Sequence, residues 1–261
     1  MQTGGFTQYI DVAQIALYGF WIFFAGLIWY LHREDKREGY PLDSDRTERS
    51  GGRVKVEGFP AVPSPKTFLL ADGSSVQAPR ADGADRRAIA ATPLGNGEGA
   101  ALQPSGNPMV DGVGPAAYAQ RQDVPECMVD GSPMIVPMRT VSGWSINSRD
   151  PDPRGMTVVG CDGVAAGTVS DVWVDKAEPQ IRYLEMQPTD GGGAVLVPYG
   201  FIVYDAGRRL AKVNALTGAQ FAQVPRTASS EQVTRLEEDR ITGYYGGGTL
   251  YATPDRLGPV L

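Results

Sequence analysis

The stretch YGFWIFFAGLIWYLHREDKREGYPL, residues 18–42, passes from wholly apolar to densely charged in a single step. It completes a run, 12–31 (VAQIALYGFWIFFAGLIWYL), with no charged residue and one amide, Gln14. Twenty helical residues rise about 30 Å, the thickness of bilayer hydrocarbon. A backbone in lipid must satisfy its own hydrogen bonds, so the run predicts a transmembrane α-helix. A cleaved signal peptide would carry a basic leader and a small-residue cleavage site. Here no Lys or Arg precedes Arg33, and His-Arg-Glu-Asp-Lys-Arg-Glu follows the run. The run therefore reads as an uncleaved single span. Arg33, Lys36 and Arg37 place the large polar part in the cytoplasm and residues 1–11 in the periplasm. Trp29 and Tyr30 suit the cytoplasmic interface, and Tyr9 the other one. Ala16, Gly19, Phe23 and Gly26 follow a +3, +4, +3 rhythm and share one helix stripe. Small residues on a stripe let a second helix approach closely. The competing reading is that glycines are common in spans and that Trp21 faces lipid.

The bulk of the chain excludes several functions. It has 261 residues and a formal charge of -6, with no Lys/Arg-rich block beyond the few residues after the span. That argues against a nucleic-acid partner. Cys127 and Cys161 stand 34 residues apart, in no metal or redox spacing, and read as free thiols. His32 is the single histidine. A chain with one histidine does not ligate several haems or chlorophylls, build a typical zinc site, or supply a serine triad away from the membrane edge. It also lacks a nucleophile elbow and a phosphate loop, so a tethered hydrolase is disfavoured.

Residues 41–108 are dominated by Pro, Gly, Asp, Arg and Ser, with strand-like pieces only at 67–70 and 75–78. Such composition buries little core alone and predicts a disordered or extended, surface-lying connector over 32–108. The pattern then changes within a cytoplasmic domain, 109–261. Short β-branched runs alternate with Asp-Gly and Gly turns from about 150 to 225, which predicts a small antiparallel barrel or sandwich. Ser229 with Gln232 is a capping-box pattern. Val233, Leu236, Ile241 and Tyr244 form one apolar face, so a helix is predicted over about 230–245, stopping near Gly246-Gly-Gly.

FWIFFAGLIWYLHREDKREGYPL closely resembles the anchor and exit of the H subunit of purple-bacterial photosynthetic reaction centres. So do PSPKTF (63–68), GNPMVDGVGPAAYAQR (106–121), DPRGMTVV (152–159), GTVSDVWVD with IRYLE (167–185), FAQVP (221–225), LEEDRITGYYGGG (236–248) and LYATP (250–254). The matches run in order along nearly the whole chain. The resemblance implies one transmembrane helix and a cytoplasmic β-barrel of the PRC type. It implies a chain that binds no pigment or other cofactor itself. It caps the L and M subunits, which carry bacteriochlorophyll, bacteriopheophytin, quinones and non-haem iron. It further implies a bacterial photosynthetic inner membrane, contact with membrane lipids and light-harvesting antenna as possible neighbours, and a part in delivering protons to the secondary quinone. The competing class is a membrane-tethered PRC-barrel adaptor unrelated to light, since fold does not fix function.

Reducing a quinone in a low-dielectric site creates charge that protons must neutralise, and a relay needs acids at hydrogen-bond spacing with water between them. The segment DVWVDKAEPQIRYLE offers them. Alternation puts Asp171, Trp173 and Asp175 on one strand face, and Asp175 and Glu178 flank the turn out of that strand. By the resemblance, Asp175 and Glu178 belong to the proton path, with Arg182 in the same region tuning their charge. The bland alternative is two solvated turn carboxylates and an arginine in a salt bridge. Some members of the family have an Asp and two histidines at the proton gateway. The matching segment here, PECMVDGSPMIVPMR (125–139), has no histidine. That puts a histidine gateway and any zinc binding there in doubt. It leaves Asp130, with Glu126, as a carboxylate substitute. The block Glu237-Glu238-Asp239 reads as a solvated helix face.

Overall fold

The first helix starts where Asp11 caps it. The Asp11 side chain accepts the Gln14 N–H at 2.8 Å, and the Gln14 side chain accepts the Asp11 N–H at 3.3 Å, a reciprocal capping box. From there α1 (Val12–Asp35) runs without a break. The computed structural model describes residues 11–47, 52–71, 73–80, 85, 87–95 and 100–257, so Tyr9 and nearly all of the expected periplasmic segment lie outside it. α1 is the one described helix long and apolar enough to cross a membrane, and none of its residues is buried by the rest of the chain. A methyl group added at Gly19 or Gly26 would touch nothing. The Ala16–Gly19–Phe23–Gly26 stripe is therefore bare among the described residues. Such a helix persists where lipid or another chain takes the place of water around it.

The charged exit does more than set topology. Arg33 stacks over the Trp29 ring at 5.6 Å. Lys36 is buried, and its ammonium donates to the Glu57 and Pro60 carbonyls. Arg37 donates to the Ser64 and Ala78 carbonyls at 2.9 and 3.0 Å. These bonds fasten a segment too poor in apolar residues to fold on a core of its own. That segment forms two short antiparallel hairpins, β1 (Leu42–Thr47) with β2 (Arg53–Val56) and β3 (Lys66–Leu69) with β4 (Ser75–Ala78). The chain divides into two units, 1–86 and 87–261.

The second unit opens with the hairpin β5 (Ala91–Pro93) and β6 (Leu102–Pro104), followed by the one-turn helix α2 (Pro108–Asp111). Asn107 caps α2 and Gly112 ends it in the left-handed region at φ 71°, which suits a residue without Cβ. The sheet that follows comprises β7 (Ile135–Pro137), β8 (Thr157–Val159), β9 (Ala165–Asp175), β10 (Gln180–Pro188), β11 (Val195–Pro198), β12 (Ile202–Asp205) and β13 (Leu210–Val213). Its order is β11-β10-β9-β8-β13-β12, with β7 also on β9. The sheet curls into a half-barrel around Trp173, Leu184, Met186, Val158 and Val172, all essentially buried. The expected antiparallel barrel is thus present with two departures. β8 and β13 pair in parallel, and among the described residues no ladder joins β11 to β12. β9 is also less alternating than its sequence suggests. Residues 171–175 are buried on both faces, and β7 pairs with the last three of them.

The C-terminal helix corrects the sequence reading. α3 spans Arg235–Tyr251, starting later than expected and continuing through Gly246-Gly247-Gly248. Its cap is Thr234 with Glu237, not Ser229 with Gln232. The Thr234 hydroxyl accepts the Glu237 N–H at 3.1 Å and the Glu237 carboxylate accepts the Thr234 N–H at 2.8 Å. The glycines do not end the helix because they are its packing face. A Cβ on Gly243 or Gly246 would press on the Ala116 or Pro115 carbonyl, at 2.8 Å in each case. Gly247 lies against the Ala116 side chain and Gly248 against the Ala215 carbonyl. The GNPMVDGVGPAAYAQR segment is thus a strip that lies flat on α3, with Met109, Val113 and Ala116 buried in the join.

Candidate functional site

β9 and β10 pair Asp175 with Gln180, which forces a tight turn between them. Asp175 is 6% exposed, and its carboxylate accepts the Ala177 and Glu178 N–H groups at 2.9 and 3.2 Å. It therefore shapes the turn as well as carrying charge. Glu178 is exposed at the tip and accepts from the Gln180 amide at 3.0 Å.

The loop before β7 comes to the same place. β7 pairs Ile135 with Asp175, and Lys176 donates its N–H to the Met134 carbonyl at 3.0 Å. The Lys176 ammonium donates to the Ser132 hydroxyl at 2.8 Å, and that hydroxyl donates to Asp130 at 2.6 Å. Asp130 also accepts the Ser132 N–H at 2.9 Å. The Ser132 hydroxyl and N–H hold its carboxyl below the usual carboxylate range. Asp130 is thus an ionised surface carboxylate, suited to raising the local proton concentration rather than to storing a proton. Asp130, Asp175 and Glu178 stand at one end of the sheet. Arg182 is exposed, and no hydrogen bond or ion pair among the described residues joins it to Asp175 or Glu178. Its charge falls on Tyr183 and Glu238 instead.

Glu238 is the residue that sequence reasoning passed over. The Glu237-Glu238-Asp239 block is not a solvated face. Glu237 closes the α3 cap and accepts the Ala228 N–H at 2.6 Å. Asp239 faces Arg121 at 3.6 Å and accepts the Ala119 N–H at 3.3 Å. Glu238 is partly buried and accepts the Tyr183 hydroxyl at 2.8 Å. Burial pushes its carboxyl above the ordinary 4.5, and Glu126 adds to the push, against Tyr183, Arg182 and Arg121. Glu126 pairs with Arg235 at 3.8 Å. The strand-like stretch 123–134 runs from this cluster to the Asp130 loop, bridging Pro125 to Thr234 at one end and Cys127 to Pro133 at the other. The only sequence signal was that Glu238 stands three residues before Ile241, on a helix whose register the misplaced cap obscured.

A raised folded-state value means that Glu238 favours folding fully below about pH 4.5, and that this contribution is lost as pH rises through its folded value. Glu238→Gln keeps an acceptor for Tyr183 and removes the ionisable group. It should leave acid stability unchanged and raise stability at pH 7–8 by about 1 kcal/mol. Urea midpoints across pH 4–8 check this; an unchanged pH slope would refute it.

A second ionic cluster is structural. Arg139 donates to Asp171 at 3.1 Å, to Glu185 at 2.7 Å and to the Ser230 carbonyl at 2.6 Å. The Trp173 indole and the Ser170 hydroxyl also donate to Glu185, at 3.0 and 2.8 Å. These bonds push Glu185 below its ordinary value in spite of burial. One arginine thus joins β9, β10, the turn after β7 and the approach to α3. Arg139→Ala would leave two carboxylates facing each other. A fully buried pair would cost about 3–5 kcal/mol, but the Arg139 side chain is 41% exposed, so about 2 kcal/mol is expected from equilibrium denaturation.

Two family comparisons cover the two parts of this architecture. The chain matches the family described as photosynthetic reaction centre, H-chain N-terminal region, over residues 4–140, more than half its length. It matches the PRC-barrel domain over residues 146–220, the span of β8 to β13. With an apolar anchor, a curled β domain and carboxylates gathered at one end of its sheet, the chain belongs to the photosynthetic reaction centre H-chain family.

Proposed function

We propose that this chain caps the cytoplasmic face of the L and M subunits, stabilises them, and conducts protons toward the secondary quinone without catalysing a reaction or binding a pigment. Membership of the H-chain family supports association with a reaction-centre core, and that core carries the pigments and quinones. The bare stripe Ala16–Gly19–Phe23–Gly26 supports close packing of α1 on the L/M helices. Arg33, Lys36 and Arg37 support a periplasmic N-terminus and a cytoplasmic main domain.

The observation that carries the proton role is the carboxylate pair at the β9–β10 turn, with Asp130 brought to it by the Lys176–Ser132 link. Asp130 gathers protons at the surface, and Glu178 at the turn tip and Asp175 beneath it belong to the path that carries them inward. Arg182 tunes the electrostatics from the side of Glu238. Affinity purification of this chain from membranes should bring down near-infrared-absorbing pigment with the L and M chains, and proton uptake after successive flashes should fall in cells lacking it. Colourless purified protein, with normal photochemistry in the deletion strain, would remove the proposal.

A further inference from the structure

The segment fastened to the charged exit of α1 carries bare apolar side chains. Among the described residues Phe59 is 82% exposed and Leu69 79%. Leu70 is exposed too, as are Leu42 and Val56, which stand opposite each other in the β1–β2 hairpin. Single exposed apolar residues are ordinary on a soluble surface. A set of them beside a membrane span marks a contact surface.

Their depth follows from the span. The apolar run ends at Leu31, with Glu34 three residues on and Lys36 five. At helical rise these stand about 4.5 and 7.5 Å farther along the axis. The headgroup layer is about 5–8 Å deep on each side of the hydrocarbon. The Lys36 ammonium takes the Glu57 and Pro60 carbonyls, and a Cβ on Gly58 would stand 3.5 Å from it. Phe59 is therefore pinned beside the helix end, with Pro60 turned inward and buried while Phe59 is turned out. Lys66 pairs with Glu34 at 3.4 Å, so β3 starts beside the last turn of α1, and Leu69 lies three residues along it.

Charge points the same way. Residues 53–80 hold Arg53, Lys55, Lys66 and Arg80 against Glu57 and Asp72, a basic stretch in a chain of net charge -6. Lys66 lies over the Phe68 ring at 5.1 Å. Cations interleaved with exposed apolar residues suit an anionic lipid surface, where the apolar side chains reach the acyl boundary and the cations meet phosphate. The core of a protein interface is instead depleted of lysine. We propose that Phe59, Leu69 and Leu70 dip into lipid beside α1, so that residues 53–80 rest on the bilayer as a second, interfacial anchor. The proposal rests on α1 being a span and is independent of the proton role.

Photocrosslinking of the full chain in its own membranes tests this. The photoreactive residue p-benzoylphenylalanine replaces Phe59 in one variant and Leu69 in another, in cells whose phospholipid is radiolabelled. Both positions are exposed, so neither change disturbs packing within the chain. On irradiation both variants should give a lipid adduct as the main product, read as label on a band of the chain's own size. The same residue at Val203, exposed on the barrel, should carry about tenfold less label. A main adduct joining either position to another polypeptide would give this surface to a protein partner and overturn the proposal. Absence of any adduct at either position would leave the side chains in water and overturn it, as would lipid labelling at Val203 equal to that at Phe59. Lipid adducts at both positions in a protein that purifies without pigment would support this proposal even as the functional reading above fell.

Discussion

Glu178→Gln is expected to slow the second, proton-coupled reduction of the secondary quinone about tenfold, or about 1.4 kcal/mol in the barrier. Glutamine matches glutamate in size but neither accepts a proton nor carries a charge. The effect is separable from folding because Glu178 is exposed at the tip of its turn and accepts from the Gln180 amide of the same turn. Surface substitutions of that kind change stability by less than about 0.5 kcal/mol. The first flash, which transfers an electron without net protonation of the quinone, serves as the internal control and should be unaffected. Asp175 needs more care, since its carboxylate holds the turn through the Ala177 and Glu178 N–H groups. Asp175→Asn retains the acceptor oxygen for those bonds and removes the charge and the exchangeable proton site, whereas Asp175→Ala removes the acceptor as well. If the Asn variant slows second-flash proton uptake while the denaturation midpoint holds, the loss of the carboxylate and not of the turn is the cause. If Glu178→Gln leaves the second-flash kinetics unchanged, Glu178 is a solvated turn residue and has no place in the path.

The second large effect concerns α3, where helix propensity and packing point in opposite directions. Replacing glycine by alanine inside a helix gains about 1 kcal/mol from propensity alone. At Gly248 the new methyl group would have to enter the space of the Ala215 carbonyl and the Leu216 side chain. Overpacking of a core typically costs about 1–3 kcal/mol, and more where backbone must move. The second term wins, so Gly248→Ala should destabilise the domain by about 2 kcal/mol and lower its thermal midpoint by several degrees. Gly19→Ala in α1 meets no atom of the described residues and should not move that midpoint. Its effect, if α1 packs on another chain along the small-residue stripe, should appear as weaker retention of L and M during purification. A Gly248→Ala protein at least as stable as wild type would show that the Ala215–Leu216 segment can shift away from α3 at little cost.

The parts legible in the sequence share one property: their physics is local. The span could be read because twenty apolar residues bounded by charge have few alternatives in water or lipid. The strand-and-turn rhythm of 150–225 announced a β domain, and the hairpin strands near 67–70 and 75–78 fall within a residue of their expected places. The turn carrying Asp175 and Glu178 could be read because alternation fixes which residues meet at the end of a strand. Residues whose roles depend on distant partners were not legible. Glu238 looked solvated because the sequence cannot show that Tyr183, 55 positions earlier, would reach it. The Ser229 capping pattern looked sufficient because nothing local says that Thr234 and Glu237 would close a better one.

Local chemistry by itself determined that this protein has an apolar anchor, a basic exit and a β domain with acids at a strand end, because hydropathy, charge and period act over a few residues. Tertiary structure alone decided that Gly246-Gly247-Gly248 continue a helix rather than end it. It also decided that Asp130 comes to the Asp175–Glu178 turn, and that Glu238 is partly buried against Tyr183 while Glu178 is exposed. Each of these depends on which backbone lies against which side chain across the fold, and burial, the term that sets both packing cost and proton affinity, has no value until that neighbour is in place.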